Sequence, residues 1–483
     1  MTESKPTTIV IFGASGDLTS RKLMPALFCA YQKGRLPERL KIVGCARTTW
    51  NDDAFRAAMR DGVQEFSAGF DESAWNTFAL MLHFKDGDLT VAADFEHLKA
   101  MLPELEGGPA NRLYYLAIAP RFFVPTIANL GAVGLASEEE GRRNIVIEKP
   151  FGNSLQSAQA LNQAVHQVFE EQQIYRIDHY LGKETAQNIL FFRFFNTIFE
   201  PVWNRNYVDN IQITAAESVD VKHRAGYYDQ AGVLRDMFQN HMLQLLSLVT
   251  MEPPASFKAD DIRNEKVKVL QAIRPVNLQE TVRAQYAGYC QTEGVAENSQ
   301  TATFAALKLY IDNWRWNGVP IYLRSGKALP QKTTEIIIEF QKPPHQMFDL
   351  PADYDFTPNR LAICIQPDEG IHLKFETKVP DVAGETRSVD MEFHYRSSFD
   401  DHTLPDAYER LLVDAIQGDA SLFTRSDGIE AAWRFIDPTI QGWQTSSDAP
   451  PLASYQPGTW GPNTAHDLLA QDGRVWRLGC SHD

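Results

Sequence analysis

Between positions 175 and 184 the chain reads YRIDHYLGKE, which sets a carboxylate, an imidazole, a phenol and an ammonium (Asp178, His179, Tyr180 and Lys183) within six residues. Such a set can hold a dianion and steer a proton. If the stretch from His179 is helical, His179 and Lys183 share a face at i,i+4 and can bracket a phosphate, with Gly182 limiting side-chain crowding there. Asp178 could then orient another histidine and raise its basicity. The competing reading is a solvated polar loop. The histidine that would answer to Asp178 lies in residues 232–243, GVLRDMFQNHML, which run on into Leu245, Leu246, Leu248 and Val249. That segment reads as a largely buried helix with polar residues near its start. A lone histidine in an apolar helix is ordinarily a hydrogen-bonded core residue. Asp236 and Asn240 beside His241 support a cleft-facing site instead. A third group, RSGKALPQK at 324–332, offers Lys327 and Lys332 to sugar hydroxyls or phosphate, or else forms a basic surface turn.

A different chemistry is suggested near the start of the chain. The turn Gly13-Ala14-Ser15-Gly16-Asp17-Leu18 follows the apolar run 8–12 and opens a helix-like stretch, 17–32. Gly13 permits a tight turn. Gly16 lets backbone approach a pyrophosphate at the helix N-terminus, where free N–H groups and the helix dipole favour an anion. The pattern is G-x-x-G, not the full G-x-G-x-x-G, and any strand-to-helix turn can carry glycine. Just past the second strand, 40–46, stands Arg47, where NAD enzymes commonly place an acidic residue for the ribose hydroxyls. A guanidinium there suits a 2′-phosphate and favours NADP, while leaving NAD open. The plainer reading is a solvated surface arginine.

These groups need elements to position them. The runs 8–12, 40–46, 112–118 and 144–147 are short, apolar strands with helical stretches between them, the pattern of a Rossmann-like, doubly wound parallel α/β sheet. After about residue 185 the character changes. A helical run, 185–196, leads to strand patterns at 208–217, 303–311, 335–340, 361–365 and 371–375, an α+β domain with a large, mainly antiparallel sheet. The Pro- and Asp-rich stretch 446–462 reads as a loop. A chain of 483 residues suits two domains, here 1–178 for a dinucleotide and 179–483 for substrate binding and oligomerisation.

Composition removes other classes of function. Hydrophobic residues at 44% and charged residues at 22% are those of a globular protein. A net charge of −16 repels nucleic acid and anionic membrane, so any phosphate site must be local. No apolar run is long enough to span a bilayer, and the polar start shows no signal-peptide core, which suggests a cytoplasmic protein. The five cysteines are scattered without a CxxC, so free thiols are expected rather than a zinc site or disulfide framework.

Taken in order and spacing, GASGDL (13–18), EKPFG (148–152), RIDHYLGKE (176–184), RDMFQNH (235–241) and RSGKAL (324–329) resemble the motifs of the glucose-6-phosphate dehydrogenase family, bacterial in type, over essentially the whole chain. The resemblance implies oxidation of D-glucose 6-phosphate at C1 to 6-phospho-D-glucono-1,5-lactone, with hydride transfer to NADP, as the first step of the oxidative pentose phosphate pathway. It makes His241 the general base and Asp178 the residue that fixes its tautomer. His179, Tyr180 and Lys183 would hold the 6-phosphate with Lys332, and Glu217, Asp236, Lys327 and Gln366 the sugar hydroxyls. Coenzyme contacts would come from Gly13, Ala14, Ser15, Gly16, Asp17, Leu18, Arg47, Asp88 and Leu89, with Lys149 between coenzyme and substrate and serving both. The bond before Pro150 is often cis in this family. No metal is implied, and members are homodimers or homotetramers built through the large sheet. Some eukaryotic relatives hold a second, structural NADP with basic residues where this chain has Thr333 and Ile337, which argues against such a site. Two rivals differ in what they need. A dehydrogenase of unphosphorylated sugar would not need His179 and Lys183. A non-catalytic dinucleotide sensor would be expected to lose Asp178 or His241.

Overall fold

The computed structural model describes residues 5–67, 69–345, 347, 357–382, 385–399 and 404–480. The chain forms two compact units. One comprises Met1–Lys183, Ala255–Arg263 and Pro405–Glu430; the other comprises Glu184–Pro254, Asn264–Leu404 and Ala431–Asp483.

The first unit is built on β1 (Thr7–Phe12), β2 (Leu40–Ala46), β3 (Leu82–Asp86), β4 (Asn111–Leu116), β5 (Arg143–Ile147) and β6 (Ile174–Arg176). All pairs are parallel, in the order β3-β2-β1-β4-β5-β6. Every residue of β1 is buried, as a strand covered on both faces requires. The order reverses between β1 and β4, so the loops leaving these strands flank a topological switch point, where such sheets bind ligands. Leu411, Leu412 and Ile416 of the late helix Ala407–Gln417 complete this unit's core beside Ile9, Leu27 and Phe55. The helix expected over 17–32 is divided into a π-helical turn, Thr19–Leu23, and an α-helix, Met24–Gln32. Pro25 has no N–H to continue α-type bonding at that point, and Met24 N–H reaches back to the Thr19 carbonyl instead.

The second unit holds β7 (Val208–Ala216), β8 (Thr281–Tyr286), β9 (Phe304–Leu309), β10 (Ile321–Gly326), β11 (Thr333–Phe340), β12 (Arg360–Gln366), β13 (Gly370–Lys378), β14 (Thr386–His394) and β15 (Leu452–Tyr455). They form one sheet, β14-β13-β12-β11-β7-β10-β9-β8-β15. It is mainly antiparallel and becomes mixed through two parallel pairs, β7 with β10 and β8 with β15. The segment 446–462 is therefore not all loop: β15 lies within it. Arg283 of β8 anchors its approach by donating to the Trp443 and Pro450 carbonyls at 2.6 and 2.8 Å.

The cysteines correct the expectation of free thiols. Cys364 and Cys480 form a disulfide across 116 residues, while Cys29, Cys45 and Cys290 remain thiols. The pairing is tertiary. Gly479 lies so close to β12 that a Cβ there would meet the Ala362 Cβ at 2.3 Å. Glu335 of β11 accepts from the N–H groups of Gly479 and Cys480 at 2.9 and 3.1 Å. No helix among the described residues is long and apolar enough to cross a membrane.

Candidate active site

The glycine turn leaves β1 at the switch point. Gly13 has φ +87°, and a Cβ there would meet the Ala117 carbonyl oxygen at 2.2 Å. Only glycine fits that backbone and that approach. Gly16 N–H closes the turn on the Gly13 carbonyl at 2.9 Å, and the Thr19 hydroxyl donates to the same oxygen. Gly13 and Ala14 donate to the Cys45 carbonyl at the end of β2, which holds the two loops together. Ser15 in turn accepts from the Thr48 hydroxyl at 3.1 Å.

Arg47 follows β2 directly and is exposed. Asp88 lies close enough for Arg47 to help hold its carboxyl below the usual range, behind the larger effect of hydrogen bonds from Thr90. The Thr90 N–H and hydroxyl donate to Asp88 Oδ1 at 2.8 and 2.7 Å. Leu89 and Asp88 line a small cavity with Phe12, Cys45 and Phe95. Burial pushes the Cys45 thiol up to about 12, so it stays protonated and inert beside this pocket.

Lys149 follows β5 and precedes a cis peptide bond to Pro150. Beside it the Tyr115 hydroxyl donates to Glu148 Oε1 at 2.6 Å. Burial raises the Glu148 carboxyl, against the pull of the hydroxyls of Tyr115 and Tyr408 and the charge of Lys149. Glu148 belonged to a recognisable motif but had no assigned role. Tyr408 gave no sequence signal, being brought in by the late helix that completes this unit.

The run 178–183 is a turn, and the helix begins only at Glu184. His179 and Lys183 therefore do not share a helical face. Asp178 organises the turn: its Oδ1 accepts from the Tyr180 N–H at 3.0 Å and its carbonyl from the Leu181 N–H at 3.0 Å. Tyr180, 5% exposed, packs against both side chains instead. Its ring lies 5.0 Å from the imidazole of His179 and 5.0 Å from the ammonium of Lys183. Gly182 is fixed by packing, since a Cβ would meet the Ala407 carbonyl at 2.6 Å and Leu411 at 2.9 Å.

The second unit collects its own cluster. β7 and β10 run parallel with Ala216 opposite Gly326, so Glu217 and Lys327, each one residue on, emerge side by side. Their backbones interlock: Glu217 N–H donates to the Gly326 carbonyl, and Leu329 N–H to that of Glu217, each at 3.0 Å. The Lys327 ammonium donates to Glu217, lies 3.4 Å from Asp236 Oδ2 and stands 5.2 Å over the ring of Tyr228. Asp236 and Lys327 are almost wholly buried. Two carboxylates around one ammonium offer acceptors and a donor in a restricted space, a set suited to hydroxyl groups. Tyr228 was not singled out from the sequence. Its hydroxyl is buried without a hydrogen-bond partner among the described residues, and burial, then the charge of Asp236, raises it well above the usual phenol range.

Asp236 and His241 sit on a π-helical segment, Leu234–Met242, set off from the helix before it by Gly232 at φ +66°. Residues five apart diverge on an α-helix, but i→i+5 winding turns them toward one side. His241 is 1% exposed, and its backbone N–H is capped by the Asn240 side chain at 2.6 Å. The basic motif 324–332 divides three ways. Arg324 is a core residue, with Nε bonded to Thr214 at 3.0 Å and its guanidinium 4.9 and 4.4 Å from the rings of Trp460 and Trp476. Lys327 joins the carboxylates. Lys332 is exposed ahead of β11 and takes no part in their ion pairs. Gln366, at the end of β12, donates to the Thr334 hydroxyl at 2.9 Å.

A parallel sheet with a glycine turn at its switch point, followed by a mixed-sheet unit with a buried lysine–carboxylate cluster, marks a nucleotide-binding oxidoreductase. Comparison with known proteins narrows the class. The model described as glucose-6-phosphate dehydrogenase, NAD binding domain, matches residues 10–188, and that described as its C-terminal domain matches 190–477. A glucose-6-phosphate 1-dehydrogenase of Aggregatibacter actinomycetemcomitans is 44% identical, with 97% of each chain covered. A glucose-6-phosphate 1-dehydrogenase 2 of Mycobacterium tuberculosis is 43% identical over 98% of this chain and 94% of that one. A solved glucose-6-phosphate dehydrogenase in complex with its substrate glucose-6-phosphate superposes with a TM-score of 0.91 at 35% identity, over 98% of this chain and 99% of that one. The Mycobacterium avium enzyme gives 0.85 at 34% identity, with the same shares covered. The chain belongs to the glucose-6-phosphate dehydrogenase family.

Proposed function

We propose that the chain oxidises D-glucose 6-phosphate at C1 to 6-phospho-D-glucono-1,5-lactone, with NADP as the physiological acceptor. The whole-length likeness to a relative solved with glucose 6-phosphate carries this reading. The cation–phenol turn of the first unit and the buried Glu217–Lys327–Asp236 cluster support it. His241 takes the proton from the C1 hydroxyl, and Asp178 holds the imidazole in the required tautomer and stabilises the imidazolium. His179, Tyr180 and Lys183 bind the 6-phosphate, and Glu217, Asp236 and Lys327 orient the hydroxyls. Lys332 and Gln366 have the outer roles, toward phosphate and sugar respectively.

The narrow backbone cradle at Gly13 fits a dinucleotide pyrophosphate, and exposed Arg47 fits a 2′-phosphate. The nicotinamide coenzyme, when bound, supplies the hydride acceptor. Residues 13–18, Arg47, Asp88, Leu89 and Lys149 would hold it. We place the protein in the cytoplasm as a homodimer or homotetramer, acting at the first step of the oxidative pentose phosphate pathway.

Following NADP reduction at 340 nm tests the substrate directly: glucose 6-phosphate should support turnover and glucose almost none. Equal rates on the two sugars would overturn the phosphate assignment. Coenzyme choice is tested by Arg47→Ala. It should lower kcat/KM for NADP by about tenfold or more, the loss of one charge-assisted contact, while NAD is affected far less. Equal losses with both coenzymes would remove Arg47 from the 2′-phosphate.

A further inference from the structure

The edge of the second unit's sheet carries a group of residues that the dehydrogenase reaction does not use. In the hairpin of β13 and β14, His372 pairs directly with Glu392, and Gly370 with His394. Positions two apart share a face, so both imidazoles and the carboxylate project to the same side. Gly370 leaves room for the His394 ring, since a Cβ there would lie 3.2 Å from His394 Nδ1 and 2.4 Å from the Phe393 carbonyl. The imidazoles meet edge to face with centroids 4.8 Å apart. Glu392 Oε2 lies 3.7 Å from His372 Nδ1 and 3.8 Å from His394 Nε2. One donor atom from each of the three residues falls within 4.8 Å of the others.

We propose that His372, Glu392 and His394 form a zinc site that fastens edge strand β14 to β13. Zinc takes imidazole nitrogen and carboxylate oxygen at about 2.0–2.2 Å, which places ligand atoms somewhat over 3 Å apart. Glu392 is 59% exposed and free to close the remaining gap, and solvent completes the tetrahedron. The other nitrogen of His394 supplies an independent sign. Its Nδ1 lies 3.3 Å from Asp368 Oδ2, an ion-pair contact, and a rotation of the ring on binding a metal would bring that N–H onto the carboxylate, which would then fix the tautomer. Charge agrees as well. Glu392 and Asp368 set two carboxylates beside the two imidazoles, and the nearby Lys374 is matched by Asp390 at 3.5 Å. Two imidazoles with a carboxylate select a borderline ion such as zinc over calcium or magnesium. The Cys364 sulfur on β12 is held in its bridge to Cys480, so it does not serve as a ligand while that bridge is intact.

The test is titration of the metal-free full chain with Co2+, read by its visible absorption, followed by displacement with Zn2+. Thiol reductants are left out because they bind zinc and open the disulfide. One tight Co2+ per chain with tetrahedral bands is expected. His372→Ala and His394→Ala should each weaken binding by at least about tenfold, and their combination should abolish the bands. Glucose 6-phosphate oxidation without metal should be unchanged in each. Glu392→Gln, on an exposed side chain, keeps the hairpin intact and should also weaken binding. No tight Co2+ in the parent chain, or unaltered bands in the folded double variant, would overturn the site. Unchanged affinity in Glu392→Gln would overturn the three-ligand set.

Discussion

Substituting His241 by Asn should reduce kcat for glucose 6-phosphate oxidation by about 10²–10⁴-fold, the usual worth of a positioned general base. KM for the sugar phosphate should change little. Asparagine keeps a polar group of similar reach in a position that is 1% exposed, so the π-helical segment Leu234–Met242 can stay packed. It cannot accept and hold a proton at pH 7. An interaction made only as the C1 hydroxyl loses its proton affects kcat and kcat/KM together and spares ground-state binding. The Glu217–Lys327–Asp236 cluster is untouched by the change, so the hydroxyl contacts proposed for it should persist. Steady-state kinetics with saturating NADP separates the outcomes. Near-normal kcat would take the base away from His241 and pass it to His179. A large rise in KM with kcat preserved would make His241 a binding residue.

The parts legible in the sequence are those whose signal is local. β1 reads as buried because all six of its residues face core, and Arg47 stands out because it directly follows a strand. The glycine turn is legible for the same reason. What escaped depends on register and on distant segments. Glu217 and Lys327 meet because β7 and β10 are parallel, although the two are 110 positions apart, and no spacing rule announces that. Tyr228 joins through the ammonium it covers. Tyr408 arrives on a helix that returns to the first unit late in the chain. The disulfide follows the same logic: two cysteines without a CxxC become partners once Gly479 lets the C-terminal segment lie on β12. The turn at 178–183 misled in another way. Its i,i+4 spacing fits a helix, but the Asp178 side chain takes the Tyr180 N–H and stabilises a turn instead. In place of a shared helical face, His179 and Lys183 each lie against the ring of Tyr180.

That geometry gives Lys183→Ala its expected result: KM for glucose 6-phosphate should rise by about 10- to 150-fold with kcat at saturation largely kept. A hydrogen bond between an ammonium and a dianion is worth about 1.5–3 kcal/mol, and that range sets the factor. Lys183 is half-buried and lies 5.0 Å from the Tyr180 ring. Partial removal from water strengthens its attraction for phosphate, while the ring limits its wandering. Residual binding would come from His179 and the hydroxyl-binding cluster, so the loss is bounded. Slow turnover of glucose itself provides the control, because a substrate without phosphate has nothing to lose at this position. If Lys183→Ala lowered kcat/KM for glucose as much as for glucose 6-phosphate, the lysine would be supporting the turn and not the phosphate. Lys183→Arg separates charge from shape. It keeps the cation, so much of the affinity should return, but its planar fork does not reproduce a compact ammonium over the tyrosine ring. Recovery short of the parent value is therefore the outcome that fits a direct phosphate contact.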